Sequence, residues 1–91
     1  MSKAELIKKI ATETGESHAK VRDLLNAFVN VVQDSVASGE DVALIGFGTF
    51  YRAHRKATKG RNPRNGQEIQ IKAANLPKFR AGKQFKDVVN G

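Results

Sequence analysis

Between Arg52 and Lys72 the chain sets seven basic side chains against one acid, Glu68, and its only large aliphatic residues are Ile69 and Ile71. A segment so poor in apolar groups has little to bury, yet strand-like sequence flanks it on both sides. The segment therefore limits how much of the chain can pack into a core. Of 91 residues, roughly 70 remain for a body, a size at which one hydrophobic core seldom suffices without a staple. There is no cysteine, which removes disulfides and Cys-based metal sites and suits a reducing compartment. A valine-rich helix together with Phe28, Phe47, Phe50 and Phe79 offers more apolar surface than so small a body buries alone. A single domain over 1–91 that forms an obligate homodimer, with those aromatics in a shared core, is the expectation that follows.

The apolar periodicity divides the chain. Ser2 and Glu5 have the form of a capping box ahead of Leu6, Ile7, Ile10 and Ala11, which predicts a helix over about 3–14. Gly15 is a natural stop and Ser17 an N-cap for a second helix. In that helix Val21, Leu24, Leu25, Phe28, Val29, Val32 and Val36 form one broad stripe reaching about Ser38, and Gly39 ends it. The period then changes. "DVALIGFGTFYRAHR" is rich in β-branched and aromatic residues, with Gly46 and Gly48 marking a tight connection between a short strand and a longer one. "EIQIKAANLPKF" alternates again, with Ile69 and Ile71 on one face and Gln70 and Lys72 on the other, and Pro77 is expected to interrupt its ladder. The intervening segment reads as a long hairpin with its tip near Pro63–Gly66, Asn65-Gly66 supplying positive φ angles. A strand running unbroken from Arg52 to Arg61 would reach about 30 Å at ~3.3 Å per residue. "GKQFKDVVN" predicts a short closing helix with Phe85, Val88 and Val89 on one face. The fold class is thus α+β: a helical hairpin, a three-stranded antiparallel sheet extended into a long β-ribbon arm over about 52–74, and a short C-terminal helix.

Charge is distributed as unevenly as apolarity. Residues 1–44 hold five basic and seven acidic side chains, or −2, whereas 45–91 hold eleven basic and two acidic, or +9. A field of one sign on this scale concentrates polyanions, whether nucleic acid, an anionic membrane or an acidic protein. "MSKAELIKKI" has charges among its apolar residues, and the longest apolar run, "VALIGFG", is far too short to span a bilayer, so a soluble, unprocessed chain is expected. A two-stranded ribbon bearing Arg52, Arg55, Lys56, Lys59, Arg61, Arg64 and Lys72 suits a nucleic-acid groove, with cations on phosphates and arginine in a narrow minor groove. Without a packed face such a ribbon is marginal in water and gains order from its partner.

Pro63 has two readings. It either shapes the turn with Asn65-Gly66, the simpler reading from composition, or enters between base pairs as a rigid apolar ring without an N–H. Asn62 is similarly a turn residue, a minor-groove reader, or both. Phe47, Phe50 and Phe79 could stack on bases, but they sit among Val, Ile and Leu, which favours the core. His18 and His54 have no ligand partners at metal spacing, and no cofactor site follows. Gly46-Phe47-Gly48 lacks the third glycine of a dinucleotide fingerprint, and there is no phosphate loop or nucleophile elbow. Nothing points to catalysis.

Together, "GFGTF" at 46–50, "HR" at 54–55, "GRNP" at 60–63 followed by "NGQEI", "AAN" at 73–75, Pro77, Phe79 and Gly82-Lys83 resemble the HU family of bacterial histone-like, nucleoid-associated proteins, end to end and in order. The resemblance implies a homodimer of intertwined helices whose two arms embrace a duplex through the minor groove, with Pro63 as the wedge. HU is itself a standing example among minor-groove binders that bend DNA, so the bending belongs to the resemblance. By position, Arg55 and Arg61 would contact DNA along the arm, with Asn62 and Arg64 beside Pro63, while Lys3, Arg80, Lys83 and Lys86 would hold phosphates from the body. Thr58 stands where many relatives have arginine and Lys59 follows it, which moves the charge by one place and, by alternation, to the other face, away from the groove that the resemblance implies.

The function expected is DNA binding, bending and condensation of the bacterial chromosome with little sequence preference. Bent, nicked or cruciform duplex would be favoured, RNA is a further candidate ligand, and the location would be the cytoplasmic nucleoid. Two alternatives remain: a sequence-specific architectural protein like integration host factor, from which "AAN" and the ending of the chain after the third helix depart, and a basic dimeric module for an acidic protein or anionic lipid. If folding and association are one equilibrium, the melting temperature rises with protein concentration. A calorimetric series over a hundredfold dilution with a constant midpoint would count against the dimer.

Overall fold

The computed structural model describes Met1–Gly91, with three helices and five strands. Its contacts separate two compact units, Met1–Asp34 and Ser35–Gly91. In the first, α1 (Lys3–Thr14) starts where Ser2 Oγ accepts from Glu5 N at 3.2 Å, and it stops where Gly15 N donates to the Ala11 carbonyl at 2.9 Å. α2 (His18–Ala37) starts under Ser17, whose Oγ accepts from Lys20 N at 3.1 Å. Both caps satisfy backbone groups that a helix end otherwise leaves open. Ile7, Ala11 and Val21 form the buried cluster of this unit, with Ile10 and Leu25 packed on it.

The second unit is built on a three-stranded antiparallel sheet of β1 (Val42–Leu44), β2 (Gly48–Arg55) and β5 (Ala74–Ala81), in the order β1-β2-β5. A separate two-stranded ladder pairs β3 (Thr58–Arg61) with β4 (Glu68–Ile71), and α3 (Lys83–Asn90) follows the sheet. Phe50 is registered against Phe79, their ring centroids 4.8 Å apart. Phe47 lies 5.1 Å from Phe79 and stacks on Phe85 of α3 at 5.2 Å. Gly48 makes this approach feasible: a Cβ there would stand 2.5 Å from the Arg80 carbonyl oxygen and 2.5 Å from Phe79 Cζ.

Three expectations from sequence are corrected. Pro77 does not interrupt its ladder but lies inside β5, registered against Arg52. β5 is an edge strand, where a residue lacking an N–H can face away from its neighbour at no cost in pairing. The strand expected to run from Arg52 to Arg61 is instead broken at Lys56 and Ala57, opposite a break at Lys72 and Ala73. At this break the Arg55 guanidinium donates to the Lys72 carbonyl at 3.1 Å, occupying an acceptor that a continuous ladder would give to a backbone N–H. At the tip only Gly66 has positive φ, +69°, while Asn65 does not. The loop is closed by Asn62 N donating to the Gln67 carbonyl and Gly66 N to the Asn62 carbonyl, both at 2.8 Å.

No side chain is fully buried, and Phe28, Phe47 and Phe79 are each about two-fifths exposed. The expected apolar face of α3 is more open still, with Val88 75% and Val89 70% exposed. Gly48→Ala should lower stability by about 1–3 kcal/mol, because the new methyl meets backbone on one side and a packed ring on the other. Equilibrium urea unfolding at fixed protein concentration measures it, and an unchanged midpoint would show that the strands can part to admit the methyl.

Candidate nucleic-acid interface

In an antiparallel ladder, residues opposite each other share a face and successive residues alternate. In the β3–β4 ribbon, Thr58 pairs with Ile71 and Gly60 with Ile69 on one face, while Lys59 pairs with Gln70 and Arg61 with Glu68 on the other. A Cβ at Gly60 would meet Ile71 Cδ1 at 2.9 Å, so the two isoleucines close over the glycine. The ribbon is therefore amphipathic, apolar on one side and cationic on the other. Lys59 therefore shares the face of Arg61, opposite that of Thr58. Lys59 Nζ lies 3.7 Å from a Glu68 carboxylate oxygen, with both side chains well exposed, so the pair is worth little and leaves the cation open to competition from another anion.

The tip is organised by two short-range side-chain bonds. Asn62 Oδ1 accepts from Arg64 N and Asn65 Oδ1 from Gln67 N, each at 2.9 Å. These Asx turns hold the loop around Pro63, which is exposed, and the Arg61 guanidinium donates to the Gly66 carbonyl at 3.2 Å. Asn62 is thus a turn residue in this state. Lys56, Arg64 and Lys72 are exposed along the same segment.

Other expected contact residues have different settings. The Arg52 guanidinium donates to the Ala37 carbonyl at 3.0 Å, where α2 ends. A cation at a helix C-terminus satisfies an open carbonyl and complements the dipole, so Arg52 is engaged at the root of the ribbon. Lys83 opens α3 and Lys86 lies one turn on, both exposed, with Lys86 N donating to the Gly82 carbonyl at 3.1 Å. In the N-terminal unit, Lys3 Nζ donates to Asn26 Oδ1. Arg80 lies over the Tyr51 ring, its Cζ 5.1 Å from the centroid. Lys78, registered opposite Tyr51, gives no signal in the sequence beyond one more positive charge, since its facing depends on strand register. His54 and Asn75 are bonded to each other at 3.1 Å, and no three His, Cys, Asp or Glu side chains are grouped to hold a metal. No helix is long and apolar enough to cross a membrane.

The family model described as "Bacterial DNA-binding protein" matches residues 1–90. Among curated proteins, the chain is 47% identical over 91 residues to DNA-binding protein HU-beta 2 of Neisseria meningitidis, covering all of both chains. It is 50% identical over 90 residues to DNA-binding protein HU-beta of Escherichia coli, covering 99% of this chain and 100% of that one. Among solved structures, it is similar to an Anabaena HU–DNA cocrystal structure at TM-score 0.91 and 36% identity, over 98% of this chain and 97% of the other. It is also similar to HU from Thermotoga maritima at TM-score 0.70 and 28% identity, over 98% of each.

Proposed function

Since this chain belongs to the HU family of bacterial DNA-binding proteins, we propose that it binds double-stranded DNA with little sequence preference, enters the minor groove with its ribbons and bends the duplex around a Pro63 wedge. As a member of that family it is an architectural DNA-binding protein and not an enzyme. The observation that supports the finer reading is the ribbon itself. Lys59 and Arg61 project from one face, Pro63 stands exposed at the tip, and the Asx turns on either side keep the loop narrow. Cations on phosphates give affinity without sequence information. A rigid ring with no N–H to satisfy can part a base step, an action for which HU proteins are themselves a standing example.

Exposure supports the homodimer reading. In the second unit Phe47, Phe79, Val88 and Val89 leave apolar side chains open that a second copy of the chain would cover, as Phe28 does in the first, and the homodimer would present two ribbons to one duplex. DNA that is already bent, nicked or branched would bind more tightly because part of its deformation energy has been met before the protein arrives. The wide, shallow minor groove of A-form RNA makes RNA a second candidate ligand. The protein would reside on the bacterial chromosome.

Each neutralised phosphate releases counterion, so affinity for random duplex should fall by roughly 10³-fold or more between 50 and 200 mM salt if six or more phosphates are held. Gel-shift titrations of linear, nicked and cruciform duplex at two salt concentrations test both this and the preference for deformed DNA, and a flat salt dependence would sink the proposal. Pro63→Ala should reduce bending, read by end-to-end fluorescence transfer, more than it reduces binding at low salt. Unchanged bending would leave Pro63 a turn former only.

A further inference from the structure

The Asn65-Gly66 pair at the ribbon tip has a chemistry that its part in the turn does not use. Both residues are exposed. Asn65 Oδ1 accepts from Gln67 N at 2.9 Å, and an Asx turn of this kind folds the side-chain amide forward over the peptide that joins Asn65 to Gly66. The amide carbon Cγ is thereby brought toward Gly66 N, the nucleophile that would close a five-membered ring on it. The same bond polarises the amide for attack. Oδ1 is the atom that gains negative charge when nitrogen adds to Cγ, and a donor already aimed there needs no rearrangement. Gly66 carries no Cβ to crowd its nitrogen, and a Cβ built there would meet nothing within 4 Å, so the space for the ring and for a water molecule is open.

Two other asparagines each lack one half of this arrangement. Asn62 forms the same turn, its Oδ1 accepting from Arg64 N at 2.9 Å, but the next nitrogen belongs to Pro63 and has no proton to release. Asn90 also precedes a glycine, yet it closes α3 with its Nδ2 donating back to the Lys86 carbonyl at 2.9 Å, which turns the amide away from Gly91. Asn65 alone combines the forward turn with a following glycine. Its restraint is the bond from Gly66 N to the Asn62 carbonyl at 2.8 Å, which must open before the nitrogen can attack. A two-stranded ribbon with no packed layer beneath it opens at its tip far more readily than the sheet does.

We infer that Asn65 is a self-modification site, converted without an enzyme to aspartate and isoaspartate, and that the carboxylate so formed weakens the hold of the ribbon tip on DNA. Gly66 N gives up its proton and bonds to Asn65 Cγ while the Cγ–Nδ2 bond breaks, so that Nδ2 leaves as ammonia and a cyclic imide remains. Water then adds to one of the two imide carbonyls and the ring C–N bond breaks. The product is aspartate or, where the main chain now runs through the side-chain carbon, isoaspartate. Nothing is oxidised or reduced: an amide and water become a carboxylate and ammonium. The new negative charge stands next to Arg64, on the loop where a duplex would bring its phosphates. A duplex seated on the tip keeps the loop closed and the Gly66 N–H engaged, so bound protein is protected while free protein ages. The effect on affinity rests on the DNA-binding reading above, whereas the chemistry at Asn65 does not.

The test holds the full chain at mildly alkaline pH, free or saturated with random-sequence duplex, and samples it over days. Pepsin digestion at acid pH, where imide formation stalls, and mass spectrometry locate any gain of about one dalton, while duplex affinity is measured at low salt. The free wild type should gain mass at Asn65 well before Asn90 and lose affinity by about two- to fivefold, the effect of one like charge near a phosphate in water. Asn65→Gln, whose longer side chain would have to close a six-membered ring, should keep its mass and its starting affinity. Freshly made Asn65→Asp should already bind as weakly as the aged wild type, and saturating duplex should slow the mass gain severalfold. No gain at Asn65, or one no faster than at Asn90, would overturn the modification site. Equal rates with and without duplex, or aged protein that binds as fresh protein does, would overturn its coupling to DNA. If fresh wild type shows no salt-dependent affinity for duplex, the DNA-binding reading fails, while the mass gain still decides the chemistry at Asn65.

Discussion

Phe50 stands opposite Phe79 in an antiparallel ladder, and that one registration decides the facing of every side chain on the sheet. Because side chains alternate with a period of two, a slip of one residue would turn the phenylalanines outward and carry Tyr51, Lys78 and Arg80 inward. The register is held from several directions. Gly48 lets the Phe79 ring close onto the strand, Phe47 adds a second ring, and Phe85 brings α3 against the same cluster. The polar side chains on one side of the sheet are thereby positioned by aromatic packing on the other.

The helices were legible in the sequence because each is bounded by local chemistry. Ser2, Gly15 and Ser17 act within a few residues of their own position, and the caps form as those residue types dictate. The α+β architecture and the ribbon were legible for a similar reason, since a change of apolar period is a local signal. What escaped depends on a neighbour distant in sequence. Pro77 looks like a breaker until β5 is seen to be an edge strand. Arg52 looks like one more ribbon cation until the end of α2 is found within its reach. Tyr51 gave no sign of its pairing with Arg80, because 29 positions separate them and only the ladder brings them together. Pro63 is a different case: its place at the tip was legible, and the wedge proposed for it rests on family resemblance.

The two units share an economy of apolar burial. The clustered core of the N-terminal unit is three side chains with two more leaning on it, and the sheet leaves its aromatic side half open. If those open side chains are covered by a second copy, as proposed, folding is coupled to the amount of protein present. The ribbon lies outside that accounting. Its isoleucines cover a glycine and little else, and its one ion pair is exposed.

The gap in the ladder at Lys56-Ala57 and Lys72-Ala73 separates two stretches of paired backbone. Cooperative opening spreads through continuous ladder pairing and packing, so a junction where the ladder pairs lapse and the Arg55 side chain bonds the Lys72 carbonyl instead is where it weakens. Fraying that starts at Pro63 can therefore proceed to the junction without loosening the Phe50–Phe79 registration. For a lineage this has a further meaning. Residues beyond the junction can change in length or charge without disturbing the registration of Phe50 and Phe79, so the aromatic packing of the sheet sets no limit on the sequence of the ribbon.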